Sequence, residues 1–123
     1  MIGYVLVGTN NLERAAAFYD KLLSELGASR TWESERGITW GLSADLPNFG
    51  VIKPYDGKAA TVGNGVMVAL AARSREQVDR ICRKAIELGG QDEGPAGPRG
   101  DGAYYAGYFR DLDGNKLSVY FEK

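Results

Sequence analysis

The chain has 123 residues, 44% of them apolar and 25% charged, with a formal net charge of −1. That balance suits one ordinary globular domain able to bury a real core. It leaves no basic footprint for nucleic acid or acidic lipid, and no apolar run approaches the roughly 18 residues that a membrane span needs.

Residues 4–8 (YVLVG) are apolar and rich in β-branched side chains, which predicts a strand. Asn10 then opens a helix, with Glu13 three residues on, as in a capping box whose Ser or Thr is replaced by Asn. Leu12, Ala15, Ala16, Tyr19, Leu22, Leu23 and Leu26 recur at helical period on one face. Gly27 stops the helix, because glycine accepts a left-handed conformation at little cost. Short strands follow near 29–34, 37–43 and 49–54.

The pattern then begins again. Residues 66–71 (VMVALA) predict a strand, and Ser74 with Gln77 makes a second capping box. Val78, Ile81, Cys82, Ala85, Ile86 and Leu88 form the apolar face of a second helix, closed by Gly89. Strands near 91–94, 103–110 and 115–121 complete this half, the last two joined at Asp113-Gly114, a strong hairpin signal. Glu25-Leu26-Gly27 and Glu87-Leu88-Gly89 end the two helices almost identically. The chain therefore divides into module 1, about residues 1–62, and module 2, about residues 63–123. Each helix has one apolar stripe that must lie on a sheet. The predicted class is α+β: two βαβββ modules whose curled mixed sheets surround a cleft.

Cys82 is the single cysteine, so no internal disulfide can form. The opening Met1-Ile2-Gly3-Tyr4-Val5 lacks a basic region followed by an apolar stretch, so no signal peptide is expected and a reducing cytoplasm is the expected location.

The module order and several motifs resemble a known family. Asn11-Leu12-Glu13-Arg14-Ala15, with Phe18-Tyr19, opens the first helix as in the vicinal-oxygen-chelate superfamily. That group includes glyoxalase I, bleomycin-resistance proteins, fosfomycin-resistance transferases and extradiol dioxygenases. Phe109-Arg110-Asp111-Leu112-Asp113-Gly114-Asn115-Lys116-Leu117 resembles its final hairpin, and Gly63-Asn64-Gly65 recurs in glyoxalase-like members. The resemblance spans the whole chain and is specific for fold, not for reaction. It implies a homodimer with clefts at or near the interface.

In metal-dependent members of that superfamily, His, Gln and Glu side chains from four strands hold an ion. By resemblance these positions fall on Tyr4, near Val51, on Met67 and on Ser118. None offers the imidazole or carboxylate that a divalent ion of this kind wants, and the chain has no histidine. The expectation is no metal and no cofactor.

Strand alternation, applied to these positions, gives a ligand-binding list of Tyr4, Met67, Tyr104, Tyr108, Ser118 and Tyr120. Such a cleft would be aromatic and rich in hydroxyls, suited to a flat or amphipathic organic molecule. Tyr108 and Tyr120 are the candidates for a general acid or oxyanion donor, and no base is available to make Ser118 a nucleophile. Arg110 is placed either at the rim, against a ligand anion, or in an ion pair with Asp111 or Asp113. Asp111, Asp113, Asn115 and Glu122 are spaced like a calcium loop, but the glycine position and strand flanks are wrong for one. Cys82 is expected to pack in the core. Residues 94–102 are rich in Gly and Pro and predict a loop, either a lid bearing Arg99 or plain surface.

Three functions follow: a protein that binds a small organic molecule for sequestration or sensing, a glyoxalase-type lyase or isomerase, or an interaction module with a vestigial cleft.

Overall fold

A computed structural model describes all 123 residues. The chain divides into two compact units, Met1–Val62 and Gly63–Lys123. Each repeats the same order. The first runs β1 (Tyr4–Gly8), α1 (Leu12–Ser24), β2 (Ser29–Glu33), β3 (Gly37–Gly41) and β4 (Asn48–Ile52). The second runs β5 (Val68–Ala71), α2 (Arg75–Glu87), β6 (Gln91–Arg99), β7 (Tyr104–Arg110) and β8 (Lys116–Glu122).

The two sheets have matching strand orders, β1-β4-β3-β2 and β5-β8-β7-β6. In each, the strand before the helix pairs in parallel with the last strand, and the remaining pairs are antiparallel. The fold is thus α+β, built from two βαβββ modules with mixed, open sheets. No helix is long and apolar enough to cross a membrane.

The helix starts show local chemistry at work. The cap of α1 is Asn11, not Asn10: its side-chain oxygen accepts the Arg14 N–H at 3.0 Å. Asn10 is drawn away because its amide exchanges two hydrogen bonds with the Ala60 backbone, donating at 3.2 Å and accepting at 2.6 Å. Helix α2 begins as expected, with the Ser74 hydroxyl accepting the Gln77 N–H at 3.1 Å. Gln77 reaches back to the Arg73 N–H at 2.8 Å, one residue earlier than the standard box. At the other ends Gly27 and Gly89 adopt φ of 81° and 101°.

In the first unit Tyr19 is fully buried against the rings of Trp40 and Phe49, at 5.6 and 5.0 Å. The Trp40 indole N–H donates to Asp20 Oδ1 at 2.9 Å, and Asp20 also receives Arg30 Nε and Nη2 at 2.9 and 2.7 Å. Asp20→Ala should cost about 1–3 kcal/mol in urea unfolding, because it strands a buried indole donor. The Arg30 guanidinium beside it holds the Asp20 carboxyl below its usual value of 3.8. A lowered folded pKa stabilises above the unfolded value and is lost as pH falls through the folded one. The stability gap between wild type and Asp20→Asn should therefore narrow below about pH 4.

In the second unit Val78, Ile81 and Ala85 of α2 are buried, as are Phe109, Leu117 and Val119 of the sheet. Ile86 departs from the predicted stripe and is 44% exposed. The expected strand at 66–71 starts at Val68, which leaves Met67 one residue ahead of it.

The largest correction concerns residues 94–102. They do not form one loop: β6 continues to Arg99 and pairs with β7 through Gly94, Gly97, Pro98 and Arg99. Pro95 and Pro98 are tolerated because β6 is an edge strand, where a missing N–H need not face a neighbour. Register shifts between Asp92 and Gly97 absorb the remaining misfit.

Candidate functional site

Each sheet has one face under its helix, and alternation sends every second side chain to the other, helix-free face. On β4, Phe49 meets Tyr19 of α1, so Val51 shares the helix-covered face and is fully buried. The helix-free face therefore carries Tyr4, Leu6 and Gly8 of β1 with Asn48, Gly50 and Ile52 of β4, which pair residue for residue.

That face of the first unit contains a cavity of about 400 Å³, lined by Tyr4, Leu6, Trp32, Thr39, Asn48 and Ile52 among others. None of the lining side chains is charged. Tyr4 and Trp32 are 65% and 50% exposed. Trp32 is there because of a bulge. Arg30 opposes Trp40 on the helix-covered side, and the extra residue before Trp32 sets it opposite Thr39 on the free side. Beside the cavity the Thr31 and Thr39 hydroxyls share a 2.8 Å hydrogen bond, and Thr31 also donates to Asn48 Oδ1. The Asn48 amide donates to the Ser43 and Leu46 carbonyls at 3.1 and 2.6 Å, which holds the group rigid.

The second unit presents tyrosines instead. Tyr105 donates to Asp79 of α2 at 2.7 Å, which marks the helix-covered side of β7. Tyr104, Tyr108 and Arg110 alternate onto the free face, with Lys116, Ser118 and Tyr120 of β8 opposite or beside them. Tyr104 stacks on Tyr120 at 5.4 Å. Burial next to Tyr108 and Tyr120 raises the Tyr104 phenol above its ordinary value, so it remains a neutral donor. The Tyr108 ring has the Arg99 guanidinium at 5.5 Å and the Lys116 ammonium at 5.7 Å.

Of the six residues placed on the ligand list from sequence, Tyr4 stands in the first unit's cavity. Tyr104, Tyr108, Ser118 and Tyr120 share the second unit's free face, and Met67, 41% exposed, precedes its edge strand. Ser118 is wholly buried and its hydroxyl has no hydrogen-bond partner. Ser118→Ala should therefore leave stability unchanged or raise it by up to about 1 kcal/mol in urea unfolding, since it deletes an uncompensated buried hydroxyl.

Other candidates find structural employment. Arg110 pairs with Glu93 at 3.3 Å and donates to the Gly114 carbonyl at 3.0 Å, not with Asp111 or Asp113. The acids lose it because Asp111 is turned into the β7–β8 turn, accepting the Asp113 and Asn115 N–H groups and the Asn115 amide. Arg99 donates to the Pro95, Gly97 and Pro98 carbonyls of its own strand. Cys82 is half-buried at a 450 Å³ groove beside α2 and β6, where burial and the nearby Asp79 and Asp92 push its thiol up to about 11. Alkylation by iodoacetamide at pH 8 should be markedly slower than for free cysteine, accelerating only as pH approaches that value.

Register between the two units locates the positions where metal ligands would stand. Helices α1 and α2 start 63 residues apart, at Leu12 and Arg75, so Tyr4 corresponds to Met67 and Leu6 to Ala69. Ala69 pairs with Ser118 and Leu6 pairs with Gly50. The counterpart of Ser118 is thus Gly50, one residue before the Val51 expected from sequence. Val51 is removed by its neighbour Phe49, which takes the helix-covered side. A phenol, a glycine, a thioether and a hydroxyl do not fit a divalent cation. No group of three or more His, Cys, Asp or Glu side chains gathers elsewhere.

Comparison with known proteins agrees with this architecture. The chain is 37% identical to a glyoxalase/bleomycin resistance protein from Albidiferax ferrireducens T118, with a TM-score of 0.91, covering 100% of this chain and 99% of that one. A putative glyoxalase from Bacillus halodurans is 23% identical with a TM-score of 0.79, over 98% and 95% of the two chains. Lactoylglutathione lyase from Agrobacterium tumefaciens is 17% identical with a TM-score of 0.72, over 98% and 92%, a likeness of fold alone. No curated protein sequence gives a significant match. The family profile described as Glyoxalase/Bleomycin resistance protein/Dioxygenase superfamily matches residues 1–119. On that match and the duplicated βαβββ fold, the chain belongs to this superfamily.

Proposed function

We propose that this protein binds a small organic molecule on the helix-free faces of its sheets without a metal ion, sequestering or sensing it in the cytoplasm as a homodimer. The observation that carries this reading is the first unit's cavity. It has ligand-sized volume, about 400 Å³, and exposed aromatic walls in Tyr4 and Trp32. Exposed aromatic rings beside pre-paired polar groups are what a flat, amphipathic ligand needs.

A thermal-shift screen over aromatic compounds tests it, since a ligand at 100 times its dissociation constant adds about 2.7 kcal/mol of stability. Trp32→Ala should weaken any hit at least tenfold while leaving the unfolding midpoint of the free protein nearly unchanged. Silence across a broad screen would instead favour a vestigial cleft. Light scattering should give the mass of two chains.

A second reading rests on Tyr108. Flanked by two cations, its phenol could stabilise charge in a glyoxalase-type lyase or isomerase step. Chelator-insensitive turnover of the methylglyoxal–glutathione adduct, lost in Tyr108→Phe, would establish that activity.

A further inference from the structure

We infer that the helix-free face of the second sheet recognises an elongated aromatic anion, with Lys116 holding its carboxylate. This rests on the reading that the sheet faces bind small molecules, and it names the chemical class that one of them takes. The two faces differ in charge. The first unit's cavity is lined by no charged side chain, whereas on the second Arg99 and Lys116 stand over the Tyr108 ring and Arg110 follows two residues along the same strand.

Arg110 and Lys116 are directly opposite each other in the β7–β8 ladder. Like charges at such a pair repel. Arg110 is neutralised by Glu93, and Arg99 spends its guanidinium on backbone carbonyls. Lys116 has no carboxylate partner and rests against the Tyr108 ring. With Arg110 already neutralised, the charge left without a partner is that of Lys116, and an anion seated beside it supplies one.

The same strand sets the orientation. Glu122 lies at the far end of β8, six residues on from Lys116 and opposite Tyr104, about 20 Å away at strand rise. The carboxylate is thus drawn toward Lys116 and repelled from the other end. Between the two charges lie Tyr108 and Tyr120, and Tyr104, level with Glu122, stacks on Tyr120; these rings suit an aromatic body. Along the strand, four residues separate Lys116 from Tyr120, about 13 Å, so the ligand is longer than a single ring.

Paired probes test this: 2-naphthoate and its uncharged isostere 2-naphthamide, titrated calorimetrically against wild type, Lys116→Gln and Lys116→Arg. Wild type should prefer the acid at least fivefold. The preference should vanish in Lys116→Gln with amide affinity unchanged, and persist in Lys116→Arg. Equal binding of acid and amide to wild type, or a preference surviving in Lys116→Gln, overturns the inference while leaving small-molecule binding intact. Failure of both probes to bind wild type overturns the inference, and silence in the wider aromatic screen as well overturns the reading beneath it.

Discussion

Gly50→Ala should destabilise the protein by about 3 kcal/mol, lowering the thermal midpoint by roughly 10 °C. A Cβ at this position would stand 2.5 Å from the Ile38 carbonyl oxygen, 2.7 Å from Thr39 Cγ2 and 2.9 Å from Leu6 Cδ2. The two side chains can turn, but the Ile38 oxygen belongs to β3, which is paired with β4 on this very segment. Relief requires the ladder to open. Gly50 has no positive φ, so the penalty is steric and not conformational. This glycine is also the register counterpart of Ser118, where metal-dependent relatives would need a ligand. A site that cannot admit a methyl group cannot admit a glutamate in the same backbone, so Gly50→Glu should fold worse still. Chemical unfolding of Gly50→Ala with a loss under 1 kcal/mol would show that β3 and β4 are more loosely paired than described.

The second large effect is expected at Gly107→Ala, again about 2–3 kcal/mol. An added Cβ would collide with Cys82 Sγ, closer than real Cβ contacts come, and would crowd the Ala96 Cα and N at 3.3 Å. Here one of the offending groups can be removed. In Cys82→Ala the sulfur is gone, so Gly107→Ala should cost distinctly less in that background. A double-mutant cycle should give a coupling of about 1 kcal/mol or more in the compensating direction. Strict additivity would mean that the Ala96 backbone, not the thiol, sets the limit, and that Cys82 is free to move aside.

The duplicated order of elements was legible because each module states itself in simple chemistry. A β-branched run, a capping residue, one apolar stripe and a closing glycine occur twice at nearly constant spacing. Ser74, Gly27 and Gly89 behave as their local rules dictate. Asn10 and Asn11 show where such rules stop: both suit a cap, and the choice is made by a hydrogen bond to Ala60, fifty residues away in sequence. Residues 94–102 escape local rules for a related reason. Gly and Pro normally punctuate loops, yet an edge strand can hold both, and edge position is a property of the sheet, not of the segment.

The tyrosine face of the second unit could be read from alternation on β7 and β8, since both strands are regular there. The first unit's cavity could not. Trp32 reaches it through a bulge that reverses parity within β2, and nothing in Ser29–Glu33 announces that bulge. Thr39 and Asn48 join it through pairings set by register. Sequence alone does not separate Lys116 from Arg110, six residues earlier, as an anion partner. Only the pairing with Glu93 shows Arg110 to be engaged and leaves Lys116 without an acid.

Elemental analysis of the protein, purified without chelator and then titrated with Zn, Ni, Mn and Co, bears most directly on the central claim that organic contacts, not an ion, do the binding. Less than a tenth of a metal equivalent per chain is predicted, with no specific rise in thermal midpoint on adding any of the ions. One tightly held metal per chain, released on substituting Tyr4 or Ser118, would contradict it.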